Sequence, residues 1–264
     1  MKEGRPFLEV LGSVVHEDYR LPMLELFVFL FALGQFVFVD LNVAPSMRSN
    51  ELVLYWLATS ATGTTLLVFM VLIFKNIAYG FSNDIERGTL QTYLSYPLGR
   101  KRILTAKLLS AIGVAVLLFL GIQTVALLIQ APDLILPNVG LILLLYATNL
   151  SYVLLVTSII LLFALFIKRG VPVLVIGIAI YLIIGIVTSI ALLFASIGGS
   201  ATLVQAVALV NPSTALSAHY GYAPENVVWS PSFTEVSYYV AVNYAVIAAL
   251  FLLAYYYFSR RLDV

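Results

Sequence analysis

Six apolar runs decide what this chain can fold into. They occupy residues 22–39, 52–74, 103–129, 139–167, 171–197 and 236–258. A helix needs about 20 apolar residues to cross bilayer hydrocarbon, and each run is close to or beyond that length. The runs are unbroken rather than alternating, which selects helices over the strands of a membrane barrel. Only Lys168, Arg169 and Gly170 divide the fourth run from the fifth. One helix through both would overshoot the bilayer, so the tripeptide reads as a turn. Charged residues make up 10% of the chain, against roughly 25% in soluble domains. The expected fold is an all-α membrane protein, a single transmembrane domain over residues 1–264 with six spans.

The charges orient it. An even number of spans places both termini on one side. Lys2, Arg5 and Arg20 precede the first run, and Lys75, Arg87, Arg100, Lys101, Arg102 and Lys107 flank or fill the second connection. Lys168 and Arg169 lie in the fourth connection, and Arg260 and Arg261 follow the last run. Of the 14 lysines and arginines, only Arg48 falls on the opposite face. The positive-inside rule then puts both termini and the 76–102 loop in the cytoplasm of a cell-membrane protein. Glu3, Glu9, Glu17 and Asp18 interrupt the N-terminus, which does not read as a cleavable signal peptide. The outer connections are a short polar stretch at 40–51, a Pro-bracketed stretch at 130–138, and a long segment at 198–235 without Lys or Arg. Within the last, residues 203–210 are apolar but too short to span, and read as a re-entrant or interfacial helix ended by Asn211-Pro212.

Two cytoplasmic stretches are amphipathic. Phe7, Val10, Leu11, Val14 and Val15 repeat at helical spacing, as in a helix lying in the membrane plane. It serves either as a plain anchor or in coupling. In the second stretch, Asn83 with Glu86 resembles a capping box that starts a helix over 83–96, stopped by Pro97. Ile85, Thr89 and Tyr93, with Leu90 and Leu94, form its apolar stripe. Gly88 weakens such a helix by ~1 kcal/mol, which makes sense where something packs against the backbone. The helix either floats on lipid or docks into a groove of a soluble partner.

This loop carries a family resemblance. Glu86-Arg87-Gly88-Thr89-Leu90, then Leu94-Ser95-Tyr96-Pro97-Leu98-Gly99-Arg100, then Ile103-Leu104 and Lys107-Leu108 resemble the cytoplasmic loop of type-2 ATP-binding-cassette (ABC) transporter permeases. The resemblance implies a coupling helix between spans two and three, with Asp84, Glu86, Arg87, Gly88, Thr89, Leu90 and Gln91 meeting a separate ATPase subunit. It implies an exporter subunit pairing with a second permease as homo- or heterodimer. It also implies that ATP and Mg are bound by the partner rather than by this chain. No Gly-x-x-x-x-Gly-Lys-Ser/Thr phosphate loop occurs in the sequence.

No catalytic constellation is legible. His16-Glu17 lacks a second His four residues after the first, so no metal site is expected. His219 beside Ser217 reads as an interfacial or capping histidine rather than half of a hydrolase dyad. Nothing points to nucleic acid; membrane lipids are the expected surroundings. Buried acids, the usual mark of an ion relay, are nearly absent from the runs. Neutral polar residues are present instead. Thr59, Thr62 and Thr65, with Thr188 and Ser189, either pack helices closely or line a pathway, since spans two and five face the partner subunit in the family. A six-span channel or carrier has no need of the docking loop, whereas a membrane scaffold recruiting a cytoplasmic partner would share it.

Overall fold

The computed structural model describes residues 4–36, 50–95, 98–220 and 228–260. There is no strand among the described residues. Helix α1 is Gly4–Asp18 and α2 is Met23–Phe36. Helix α3 is a composite rod: α-helical Asn50–Ile73, π-helical Phe74–Phe81 and α-helical Ser82–Glu86. Helix α4 is the short Thr89–Leu94. Helix α5 is also composite, with Arg100–Leu108, π-helical Leu109–Val114 and Ala115–Gln130. A turn of helix at Pro132–Ile135 leads to α6 at Val139–Ile167. Then follow α7 (Gly170–Gly198), α8 (Ala201–Val210), α9 (Ser213–His219) and α10 (Phe233–Arg260).

Five helices, α3, α5, α6, α7 and α10, are long and apolar enough to cross a membrane. Helix α2 is apolar and 14 residues long as far as it is described. The expected end of that run at 37–39, most of the polar 40–51 connection with Arg48, and the Pro97 stop lie outside the described residues.

Helix α6 is the central post. Of its most apolar window 67% is buried, against 11% for α7, so α7 presents most of its surface to whatever surrounds the bundle. Phe31, Phe69 and Phe119 bring α2, α3 and α5 together, with ring centroids 6.2 Å apart for Phe31–Phe119 and 5.3 Å for Phe69–Phe119. A second cluster around Leu54, Leu145, Leu216 and Val236 joins α3, α6, α9 and α10.

The turn read at residues 168–170 is present. Lys168 adopts φ 59° and donates its backbone N–H to the Ala164 carbonyl at 3.1 Å, a left-handed helix end that glycine more often supplies. The short apolar helix of the 198–235 segment is also present, as α8, and it ends at Asn211.

The second connection differs from expectation. Helix α3 does not stop at Phe74 but continues to Glu86, and α5 begins at Arg100. Lys75 is half-buried and Lys107 fully buried inside these rods. Nor does a helix start at Asn83, which sits inside the last turns of α3. The expected helix over 83–96 is broken at Arg87-Gly88. Gly88 has φ 75°, a left-handed conformation that glycine adopts without steric cost. Only its neighbour Gln91 comes near, at 3.7 Å from where a Cβ would stand. The left-handed φ by itself is reason enough for a glycine here.

Candidate functional site

The loop end of the bundle holds a charged knot. Lys107, 4% exposed, projects from α5 and is the hub. Its Nζ donates to Asp84 Oδ2 at 2.6 Å and to Glu17 Oε2 at 3.3 Å. The Tyr93 hydroxyl donates to the same Glu17 oxygen at 2.8 Å, and the Lys107 ammonium stands 4.7 Å from the Tyr93 ring centroid. One buried cation thus ties α1, α3, α4 and α5. A charge this deep is tolerated only when paired and hydrogen-bonded, and these contacts supply both.

Glu86 reaches the other way. Its Oε2 accepts the Gly170 backbone N–H at 3.0 Å, capping the first turn of α7, where free N–H groups favour an anion. The approach is close: a Cβ on Gly170 would stand 3.2 Å from the Tyr79 carbonyl oxygen and 3.3 Å from Asn83 Cβ. Of the remaining loop residues, Leu90 is fully buried, Thr89 is partly buried, and Arg87 and Gln91 are exposed.

The end of α1 enters both π-helical segments. The Tyr19 hydroxyl donates to the Ala111 carbonyl at 3.3 Å and accepts from Asn76 Nδ2 at 2.9 Å. Lys75 Nζ donates to the Asp18 carbonyl oxygen and to Asn76 Oδ1, and Ser110 Oγ donates to Asp18 Oδ2. π-Turns often mark functional sites, and here they carry Asn76 and Ser110 to one partner helix. Burial raises the Asp18 carboxyl to about 6, although the Ser110 hydrogen bond and the Lys107 and Lys75 charges pull it down. Sequence reasoning missed this knot, having used Glu17 and Asp18 only as acids that argue against a signal peptide. The available signal was Lys107 itself, a charge inside an apolar run that needs a partner.

The neutral polar candidates fall into two places. Thr62 Oγ1 donates to the Ala58 carbonyl at 2.6 Å and accepts from Gln123 Nε2. Thr65 Oγ1 donates to the Ala61 carbonyl at 2.9 Å and accepts from Gln35 Nε2 at 3.2 Å. Both threonines are buried among α2, α3 and α5. Thr59 lines a nearby cavity of about 140 Å³ with Asn149 and Ser213. Thr188 and Ser189 stand apart on α7, where their hydroxyls bond carbonyls of their own helix. His219 Nδ1 lies 2.8 Å from the Pro231 carbonyl, its ring edge-on to Tyr220 and Phe233. Among the described residues, no group of three His, Cys, Asp or Glu could hold a metal.

Five apolar, membrane-length helices mark an integral membrane protein. The family model for ABC-2 family transporter proteins matches residues 24–262, and the chain belongs to that family. It is therefore an ABC transporter permease, a class of membrane subunit that generally works with a separate ATPase. Comparison with curated proteins gives no match.

Proposed function

We propose that the chain is the membrane subunit of an ABC exporter. In this reading it has six spans, both termini cytoplasmic in the cell membrane, and pairs with a second permease subunit. The family resemblance supplies export and pairing, and the one-sided lysines and arginines supply the orientation. A separate ATPase binds ATP and Mg and docks on the α3–α5 loop; this chain carries out no chemistry.

The observation that carries the coupling role is the wiring of that loop. Lys107 fastens it to α1, α3 and α5, and Glu86 fastens it to α7. A displacement at α4 is thereby delivered to three membrane-length helices at once. Asp84, Glu86 and Leu90 act as the inward anchors. Arg87 and Gln91, with Thr89 at the edge and Gly88 as the reversal, form the docking face. Of the pathway candidates, Thr188 and Ser189 stand on the helix with the most free surface, facing a second subunit, while Thr62 and Thr65 knit the bundle and Thr59 borders its cavity.

The test replaces Arg87 and Gln91 together by Ala and measures permease-stimulated ATP hydrolysis in proteoliposomes with the ATPase subunit. Stimulation and transport should fall sharply while the thermal midpoint stays unchanged, because both side chains are exposed. Normal stimulation in the double variant would remove the docking role from this loop.

A further inference from the structure

Two cavities meet at Lys75 and Tyr79. The first, about 700 Å³, lies between α1, the end of α3 and α4, and carries the polar heads of His16, Glu17, Arg20 and Asn83 among its walls. The second, about 430 Å³, is an open apolar groove between α3 and α7, lined by Val71, Phe74, Leu174 and Ile178. Lys75 and Tyr79 border both. Small-molecule sites typically measure roughly 300–1,000 Å³, so each is of useful size. The groove follows the bundle axis from Tyr79 to Val71, about two helical turns. Helix α7 starts at Gly170 against Tyr79 and Asn83, so Leu174 and Ile178 climb beside Phe74 and Val71 into the apolar layer.

A chamber edged by charged side chains and opening into an apolar groove matches an amphiphile. The charges in the chamber select its head. Glu17 is already held by Lys107 and Tyr93. Lys75 gives two of its three N–H donors to neutral oxygens of Asp18 and Asn76. Asp18, whose charge acts on Lys75, lies behind the chamber wall and accepts from Ser110. Arg20 and His16 are exposed beside them. In the chamber wall itself Lys75 and Arg20 face one acid, Glu17, and Arg20 stands just before the apolar helix α2, where headgroups lie. We propose that this junction binds one membrane phospholipid with a net anionic head, its phosphate between Arg20 and Lys75 and an acyl chain in the Val71–Ile178 groove. The site requires only that the chain lie in a bilayer, and it stands or falls apart from ATP coupling.

Full-length protein, delipidated in detergent without any ATPase, is titrated with dioleoyl phosphatidylglycerol and separately with dioleoyl phosphatidylcholine. Native mass spectrometry reads retained lipid. Phosphatidylglycerol should be retained in preference, and Arg20→Gln should weaken it about fivefold, the worth of one basic residue facing anionic lipid. Ile178→Trp should fill the groove and weaken both lipids, and inorganic phosphate should displace neither. Arg20 is exposed, so its variant decides the matter even where Ile178→Trp fails to fold. Equal retention of the two lipids with no effect of Arg20→Gln would overturn the proposal. Displacement by inorganic phosphate would reduce the site to an anion pocket and overturn it as well. The chain has no cysteine, so Ile178→Cys gives a clean last arm. Efficient disulfide-linked dimers in the membrane would put a second copy, not a lipid, in the groove.

Discussion

The bundle buries polar side chains in two regions, and it treats them differently. At the loop end, ions are buried: Lys107 with Asp84, and Asp18 with Ser110 beside Lys75. Deeper along α3, neutral groups are buried: Thr62, Thr65, Gln35 and Gln123. The loop-end partners lie far apart in sequence and on different helices. The threonines bond first to carbonyls one turn back in their own helix, and glutamines from α2 and α5 add second contacts. An ion pair in a dry interior is costly to break because the survivor has nowhere to go. A hydroxyl that keeps its own-helix acceptor loses little when a neighbour leaves. The charged region is therefore a set of obligate joints between elements, and the neutral region is an adaptable seam.

The largest expected effect follows from removing the hub. Lys107→Met strands Asp84, whose side chain is only 14% exposed. Breaking one side of a buried pair destabilises by roughly 3–5 kcal/mol. The thermal midpoint in detergent should drop by several degrees, and protease should cut more readily at the Arg87-Gly88 reversal. Adding Asp84→Leu should recover part of the loss, because the uncompensated acid is then gone. A Lys107→Met protein with wild-type stability and loop protection would show that the knot is ornamental, and the contrast between the regions would fail.

The contrast also marks what the sequence could and could not reveal. Most of the membrane-length helices, the turn at Lys168 and the end of α8 at Asn211 were legible because each depends on neighbours along the chain: apolar run length, a short polar interruption, a proline. The loop was legible as a motif but not as a shape. Asn83 and Glu86 have capping-box spacing, yet they terminate α3. What extends that helix is Lys107 pairing with Asp84 and Glu86 bonding Gly170, contacts made across long loops. Local spacing cannot encode such partners. Gly88 was legible as a weak point in a helix, but its positive φ was not, because a left-handed residue and a close-packed backbone leave the same one-letter trace. Thr59, Thr62 and Thr65 were legible as a group, while their separation from Thr188 and Ser189 depends on how α7 is placed.

The second expectation tests the cost of the charged joints through pH. Asp18 is raised from an ordinary 3.8 to about 6, chiefly by burial. The folded protein therefore holds this proton more tightly than the unfolded chain, and the stabilisation is complete below about pH 4 and lost as pH rises through about 6. The shift corresponds to at most roughly 3 kcal/mol. Differential scanning fluorimetry between these limits should show the thermal midpoint falling with pH, and Asp18→Asn should flatten that segment. A wild-type slope of the opposite sign would mean that Lys75 and Lys107 stabilise the carboxylate more than burial penalises it.

The smallest effect belongs to the neutral seam, and it decides whether the seam is adaptable. Gln123→Leu removes the donor to Thr62 but leaves the Thr62 hydroxyl on the Ala58 carbonyl. Hydrogen bonds between membrane helices average about 0.6 kcal/mol in double-mutant cycles, so the thermal midpoint should shift by a degree or two at most. Combining it with Thr62→Val should add little, because no polar atom of that pair is left stranded. The same cycle on Lys107 and Asp84 should show strong coupling instead. If Gln123→Leu proved as damaging as Lys107→Met, the seam would be a second set of obligate joints, and rigidity would run the length of α3 rather than concentrating where it meets the loop.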